Sequence, residues 1–384
     1  MPIVSYIHSI PYVGILSVLI LLGCIQILYN RNDIINKGLK ESAYIILLIF
    51  LGLRGFIMTD YYLYYPYFVN LTLGTGEYEP FFNLYTYLIK SVYNNYHIYI
   101  FINTYIDLLL IHIFLNRYSA NRFHIFSLAV FFVFYGLVFE VNLLRNFKAL
   151  LLFLLSIKYI EERKPIKYFI LNIIGLMFHW SSLCFLPLYF FIHKKINLKL
   201  IFALWLIGNA IFLLDIGFLK SAIAVTGNLL GGVYKEKINF YINSQIYGKS
   251  LTISFGYIER ILTSVIIFFL YDKLTKEKKN IIFINSFFIF ILLSLYLYET
   301  QIVLTRVCAL FAFSYWILWS KIFENLKHSN KLVFLILFSA ILIAKCAKSN
   351  NNIFYKYDNL IWGIESYEER KVIYDKYYST LVDG

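Results

Sequence analysis

The sequence predicts an all-α integral membrane protein of about 10–13 transmembrane helices, a helical hairpin among them, and three observations carry that prediction. Of 384 residues, 60% are hydrophobic and only 15% charged, with a mean hydropathy of +0.68, whereas soluble domains carry about 25% charge. Apolar runs long enough to cross a bilayer recur along the whole chain. The short loops between them are rich in Lys and Arg, so the net charge of +13 reads as the positive-inside pattern of a membrane protein and not as a nucleic-acid surface.

A span needs roughly 20 mostly apolar residues. Early runs are expected near Pro11–Tyr29, Ala43–Met58, Ile98–Leu115, Phe123–Phe139 and Leu144–Ile160. Later ones are expected near Leu198–Ile216, Ile253–Tyr271, Ile281–Tyr298, Val303–Phe323 and Leu332–Cys346. The first ten residues hold no Lys or Arg, so the run from Pro11 is expected to be a retained span, since a secretory signal opens with a basic flank. Ile166–Ile192 is too long for one span and is broken by His179-Trp180-Ser181-Ser182. Two short helices meeting at His179 return the chain to the side it left.

Asp60–Tyr96 is Tyr-rich, and its apolar half, Phe81–Tyr93, is short and contains Lys90. It reads as a re-entrant or interfacial element, and Gly74-Thr75-Gly76 as a turn. With these choices, loops 30–42, 116–122, 158–167, 193–199, 272–280 and 321–331 are cytoplasmic and hold 19 of the 35 Lys and Arg. Extracytoplasmic segments fall near 60–96 and 217–252, followed by a C-terminal tail at 347–384. No repeat or linker divides the chain, so a single polytopic domain over 1–384 is expected. Cys24, Cys184, Cys308 and Cys346 lie in separate apolar stretches and read as packing residues. The high aromatic content follows from AT-rich codon usage and carries little weight.

An ionisable side chain inside a span costs about 2.5–3.5 kcal/mol at the bilayer centre and is a functional candidate by default. Arg54, Asp60, Glu140, Arg145, His179, Glu259, Arg260, Glu299 and Arg306 all fall toward the extracytoplasmic side of this topology. One outward-facing polar cavity would gather them. Several Arg suit a pyrophosphate, because the planar guanidinium binds phosphate oxygens bidentately, and a carboxylate or His beside them can take a proton from an attacking hydroxyl. Each also has a plainer reading: Arg54 and Arg306 as helix-end residues that snorkel, Glu259 as the partner of Arg260, Glu299 as a solvated helix end, His179 as a turn residue. Lys90, Lys148 and Lys220 read as interfacial lysines. No DxD, HExxH or Cys/His set suggests a metal, and no cofactor is implied.

The order Arg54, Thr59-Asp60-Tyr61-Tyr62, Glu79-Pro80-Phe81-Phe82, Asn142-Leu143-Leu144-Arg145-Asn146 and Phe178-His179-Trp180-Ser181 resembles the EpsG-like branch of the Wzy polymerases. That family carries a DY element, an EP-aromatic element, an R-Q opening a helix and an H-x-S between apolar stretches. Arg260 and Thr305-Arg306 extend the resemblance over nearly the whole chain. Asn146 departs from the usual Gln but keeps an amide.

The resemblance implies a metal-independent, GT-C-like glycosyltransferase of the bacterial inner membrane, acting at the periplasmic face in the Wzx/Wzy pathway for O-antigen or capsule. Donor and acceptor would be undecaprenyl-pyrophosphate-linked oligosaccharides within membrane lipid, and a Wzz-type chain-length regulator is a candidate partner. Arg54, Arg145, Arg260 and Arg306 would then bind pyrophosphate. Asp60, Glu79 or His179 would supply the base or hold the acceptor, with Glu140, Glu259 and Glu299 as secondary candidates. An O-antigen ligase or polyprenyl-phosphate-dependent glycosyltransferase would share such a cavity and differ in acceptor. A flippase or transporter would show paired halves with helices broken at the midplane, which are not apparent.

Overall fold

The computed structural model describes residues 4–29, 32–232, 235–236, 238–239 and 250–382. The regular structure of the described residues is helical, with no strand among them. In chain order the helices are α1 (Ile10–Leu28), α2 (Asp33–Gly52), α3 (Tyr61–Asn70), α4 (Pro80–Val92), α5 (Tyr96–Tyr118), α6 (His124–Phe131), α7 (Leu137–Val141), α8 (Leu144–Glu161) and α9 (Pro165–Leu176). There follow α10 (Leu198–Leu213), α11 (Leu219–Leu230), α12 (Phe255–Leu274), α13 (Asn280–Tyr296), α14 (Gln301–Arg306), α15 (Phe313–Asn325), α16 (His328–Ser349) and α17 (Tyr367–Val382). Among the described residues four helices are long and apolar enough to cross a membrane, Tyr6–Leu28, Tyr96–Tyr118, Asn121–Val141 and Asn330–Ser349. The protein is a polytopic helical membrane protein.

Local sequence sets these boundaries. Asn32 and Asn95 stand at the N-caps of α2 and α5, where the Asn95 amide oxygen accepts from the N–H groups of His97 and Ile98 at 2.9 and 3.1 Å, satisfying helix-start donors that a bilayer interface would leave bare. Pro80 and Pro165 open α4 and α9, where a missing N–H costs nothing.

The chain clusters into two compact units. The larger comprises Pro2–His193 and Trp316–Lys376, the smaller is built on Lys194–Tyr315. In the larger unit the Lys/Arg-rich loops converge. Lys40 donates to Asn121 Oδ1 at 2.7 Å, Arg117 pairs with Glu161 at 3.6 Å, Arg163 bonds His193 at 2.7 Å, and Phe123 packs on Phe323. Four of the six loops expected on one side therefore touch one another at one end, and a fifth packs on Phe123 beside them. At the other end the expected C-terminal tail packs onto the chain after α2: Gly55 N–H donates to Asp358 O at 3.2 Å, Met58 N–H to Phe354 O at 2.8 Å, and Leu360 N–H to Leu53 O at 2.9 Å. Arg370, fully buried, pairs with Glu365 at 2.7 Å and Asp358 at 3.1 Å.

Some expected spans are assembled from shorter pieces. The run Ala43–Met58 is helical only to Gly52, and residues 53–59 leave the helix to meet the tail. Between α6 and α7 the chain makes a wide turn in which Tyr135 takes a φ of +66°. The indole of Trp316 donates to the Phe134 carbonyl at 2.9 Å, so a carbonyl at the kink finds a partner as a low-dielectric setting demands. The run Val303–Phe323 is likewise broken, into α14, a turn of 3-10 helix and α15.

The expected hairpin is present. α9 runs to Leu176, the chain reverses at His179, and two 3-10 segments, Trp180–Cys184 and Leu186–Phe190, return it. Gly175 makes the close approach possible, since a Cβ there would lie 2.7 Å from Ser182 Oγ. Segment 60–96 folds as the two short helices α3 and α4, too short to span at 1.5 Å per residue, joined by a turn with Gly74 at a φ of +87°. Its aromatic residues build a core around Phe56, Tyr61, Tyr64, Phe68, Phe82 and Tyr99. Of the expected segment 217–252, residues 233, 234, 237 and 240–249 lie outside the described residues.

Candidate active site

Four separate stretches of the larger unit meet at the hairpin tip. Phe81 N–H, next to Glu79-Pro80, donates to Met177 O at 3.0 Å, and Phe178 packs edge-on against Phe81 and Tyr85. This joins the start of α4 to the turn before His179. Beside the seam opens a cavity of about 500 Å³, lined by Glu77, Tyr78, Glu79, Arg145, Met177 and Trp180 among others. Arg145, in the first turn of α8, is its cation. Its Nη1 donates to Glu79 Oε2 at 2.6 Å, its Nε to the Tyr64 hydroxyl at 3.4 Å, and its guanidinium lies 4.0 Å from the centre of the Tyr78 ring. Burial and the nearby Asp60 carboxylate hold the Tyr64 phenol above its ordinary pKa, so it stays neutral and the charge facing Arg145 comes from carboxylates.

Asp60 is tied to the turn that precedes α8 by an amide, that of Asn142. Asn142 Oδ1 accepts from the Asp60 N–H at 2.9 Å and from the N–H and hydroxyl of Thr59, both at 3.2 Å. Three donors on one oxygen hold the Thr59-Asp60 turn against the residues that open α8. His179 sits between Met177 and Trp180, with Nδ1 accepting the Ser181 N–H at 3.0 Å. A neutral imidazole so engaged carries its proton on Nε2, which makes that nitrogen a donor.

Beneath this layer the side chains are sealed. Arg54 is 4% exposed and Glu140 fully buried. Arg54 Nη2 donates to the Glu140 carbonyl at 2.7 Å and Nη1 to Thr104 Oγ1 at 3.1 Å, while the Thr104 hydroxyl donates to Glu140 Oε1 at 2.6 Å. Arg54 does not snorkel; it turns inward. One helical turn along α8 from Arg145, Lys148 is also buried and pairs with Asp107 Oδ1 at 2.5 Å. Asn103 Nδ2 donates to Asp107 Oδ2 at 3.2 Å, and the Tyr85 hydroxyl to Asn103 Oδ1 at 3.3 Å. Lys148 is thus a packed core cation, not the interfacial lysine its sequence context suggests. Asp107, halfway along α5, escaped the sequence reading although a carboxylate in the middle of an apolar span is the signal to look for.

The remaining candidates belong to the smaller unit. Glu259 is buried and accepts from the Thr263 hydroxyl at 2.8 Å. Arg260, on the next residue of α12, is half-buried. Glu299 is no solvated end: it is 6% exposed and accepts from the Phe218 N–H at 2.6 Å, the Lys220 N–H at 3.1 Å and the Leu219 N–H. It neutralises the start of α11, where unpaired N–H groups and the helix dipole favour a carboxylate. Arg306 is exposed at the end of α14.

The fold is that of a polytopic helical membrane protein, and one cavity of its larger unit gathers Arg145, Glu79 and the rings of Tyr78 and Trp180. The model of the EpsG family matches residues 42–359, and the chain belongs to that family. No curated protein and no solved structure is detectably similar to it. Membership makes this a membrane protein of polysaccharide biosynthesis with a polymerase-like, glycosyltransferase-like role.

Proposed function

We propose that the protein polymerises lipid-linked repeat units at the periplasmic face of the bacterial inner membrane, moving the growing glycan from undecaprenyl pyrophosphate to the non-reducing end of a new undecaprenyl-pyrophosphate-linked unit. The observation that carries this reading is the Arg145–Glu79 pair at 2.6 Å in an open cavity. A hydroxyl of the acceptor attacks the anomeric carbon of the donor glycan, a new C–O bond forms, and the bond from that carbon to the pyrophosphate oxygen breaks. The leaving pyrophosphate takes the electron pair, and the hydroxyl proton passes to a carboxylate.

Arg145 is in place to bind the pyrophosphate, and charge developing on the leaving group strengthens that contact in the transition state. In doing so the phosphate oxygens displace Glu79 from the guanidinium. Glu79 is then at hand as proton acceptor on the same cavity wall, with Asp60, held by Asn142, as the other candidate. The Nε2–H of His179 suits donation to a phosphate or sugar oxygen. Trp180 offers an exposed ring on which a pyranose can stack. The buried Arg54–Glu140 pair braces the end of α2 that leads to Asp60, and Arg260 and Arg306 enter this reading as pyrophosphate ligands on sequence grounds alone.

The test is the length distribution of the polysaccharide in a strain lacking the gene. Loss of long chains with single repeat units remaining supports the reading; long chains that persist, attached or unattached, overturn it.

A further inference from the structure

A second polar site lies at the opposite end of the larger unit, where α2 begins and α5 ends. Lys37 and Glu41, with Asp33 and Lys40, line a polar cavity of about 420 Å³ that His112 closes. Glu41 and His112 also border a second, apolar groove of about 280 Å³ that runs along α2 and α5 over Ile45, Leu48, Tyr105 and Leu109. Ile45, Tyr105 and Leu109 are 55%, 52% and 46% exposed. The two cavities therefore adjoin at Glu41 and His112. Polar walls sit at the helix ends, apolar walls run toward the middle of the span, and the His112 ring marks the junction, edge-on to Tyr44 at 4.7 Å.

From this geometry we infer that the α2–α5 cleft binds one phospholipid with an amine-bearing phosphodiester headgroup, its headgroup in the polar cavity and one acyl chain in the groove. Cavity charge selects the headgroup. Two lysines and two carboxylates line the same space, so a purely anionic head would meet Asp33 and Glu41, whereas a phosphate with an ammonium two carbons away finds opposite charges for both of its ends. Lys40 is aimed by Asn121 Oδ1 at 2.7 Å and Asn116 Oδ1 at 3.4 Å. The Lys37–Glu41 contact, 3.8 Å and exposed, is of the kind that contributes little and is readily exchanged for headgroup contacts. Acyl burial cannot supply the selectivity, because a chain leaving bulk lipid gains no hydrophobic energy. Discrimination must come from the head.

The experiment uses the full-length protein, purified in detergent and exposed to equimolar phosphatidylethanolamine, phosphatidylglycerol and phosphatidylcholine with identical dioleoyl chains, with retained lipid read by native mass spectrometry. Phosphatidylethanolamine should be retained about tenfold over the other two, the choline lipid losing because its quaternary nitrogen cannot donate to Asp33 or Glu41. Lys40→Ala should reduce retention of phosphatidylethanolamine about tenfold, and Glu41→Gln should narrow its margin over phosphatidylcholine. Equal retention of the three lipids, or preference for phosphatidylglycerol, overturns the inference. If a variant fails to yield monodisperse protein, the headgroup competition on the unaltered chain decides alone.

Discussion

Arg145 and Glu79, 66 residues apart in the chain, meet at 2.6 Å in the wall of an open cavity, and the cation is held on its other side by the face of Tyr78. A guanidinium so flanked has a fixed plane, which an ammonium lacks. Arg145→Lys should therefore lose about 10–100-fold in polymerisation rate despite keeping its charge, and Arg145→Ala more, on the scale of removing a transition-state charge donor, about 3–4 kcal/mol. Chain length on gels together with membrane abundance reads this out; full-length polymer from Arg145→Ala would remove the arginine from the mechanism.

Glu79→Gln keeps a side chain that can bond Arg145 but cannot accept a proton. If Glu79 is the base, the turnover rate falls about 10²–10⁴-fold with little change in apparent affinity for the lipid-linked unit. An unchanged rate shifts the role to Asp60, for which Asp60→Asn gives the matching measurement.

Asn142→Ala removes the acceptor shared by Thr59 and Asp60. Hydrogen bonds of this kind contribute about 0.5–1.5 kcal/mol each, so losing the three should lower stability by about 1.5–4.5 kcal/mol and activity by more than stability explains, because Asp60 loses its bearing. Thermal unfolding in detergent and a polymerisation assay separate the two effects. A loss of stability with full activity would show that the placement of Asp60 is immaterial.

The buried Lys148–Asp107 pair calls for a double-mutant cycle. Lys148→Met or Asp107→Asn alone strands a partner and should cost about 3–5 kcal/mol, whereas the two together should recover much of it. Additive losses would mean that the two side chains contribute independently.

Gly175→Ala sets a methyl group against Ser182 Oγ, whose hydroxyl donates to Asn172 O at 2.8 Å. Overpacking of this size costs about 1–3 kcal/mol. Pairing it with Ser182→Ala, which clears the space, should restore thermal stability, and failure to do so would place the constraint on the backbone.

Much of this was legible in the sequence, through features that depend on local composition. The reversal at His179 showed because His179, Ser181 and Ser182 interrupt an apolar run, and the grouping of the basic loops showed because charge cannot rest in lipid. Glu79, Arg145 and the turn between Met177 and Trp180 were readable as short motifs, and folding brings them to one cavity. What stayed hidden depends on long-range pairing. Lys148 looks interfacial until Asp107 is known to face it. Arg370, in the charged run Tyr367-Glu368-Glu369-Arg370, looks solvated until Asp358 and Glu365 enclose it. Glu299 looks like a wet helix end until α11 is seen to begin on its carboxylate. The aromatic residues of 56–99, discounted as codon bias, form the core beneath the site.

The tail that pairs with residues 53–58 has a consequence for biogenesis. The Tyr61 hydroxyl, one residue beyond Asp60, is bonded to the carbonyl of Arg370, 309 positions later. A chain emerging from the ribosome makes Tyr61 long before that partner exists, so this contact closes only once Arg370 has been made. Until then residues 53–61 lack the partners that hold them, and the turn leading to Asp60 is braced from one side only, by Asn142.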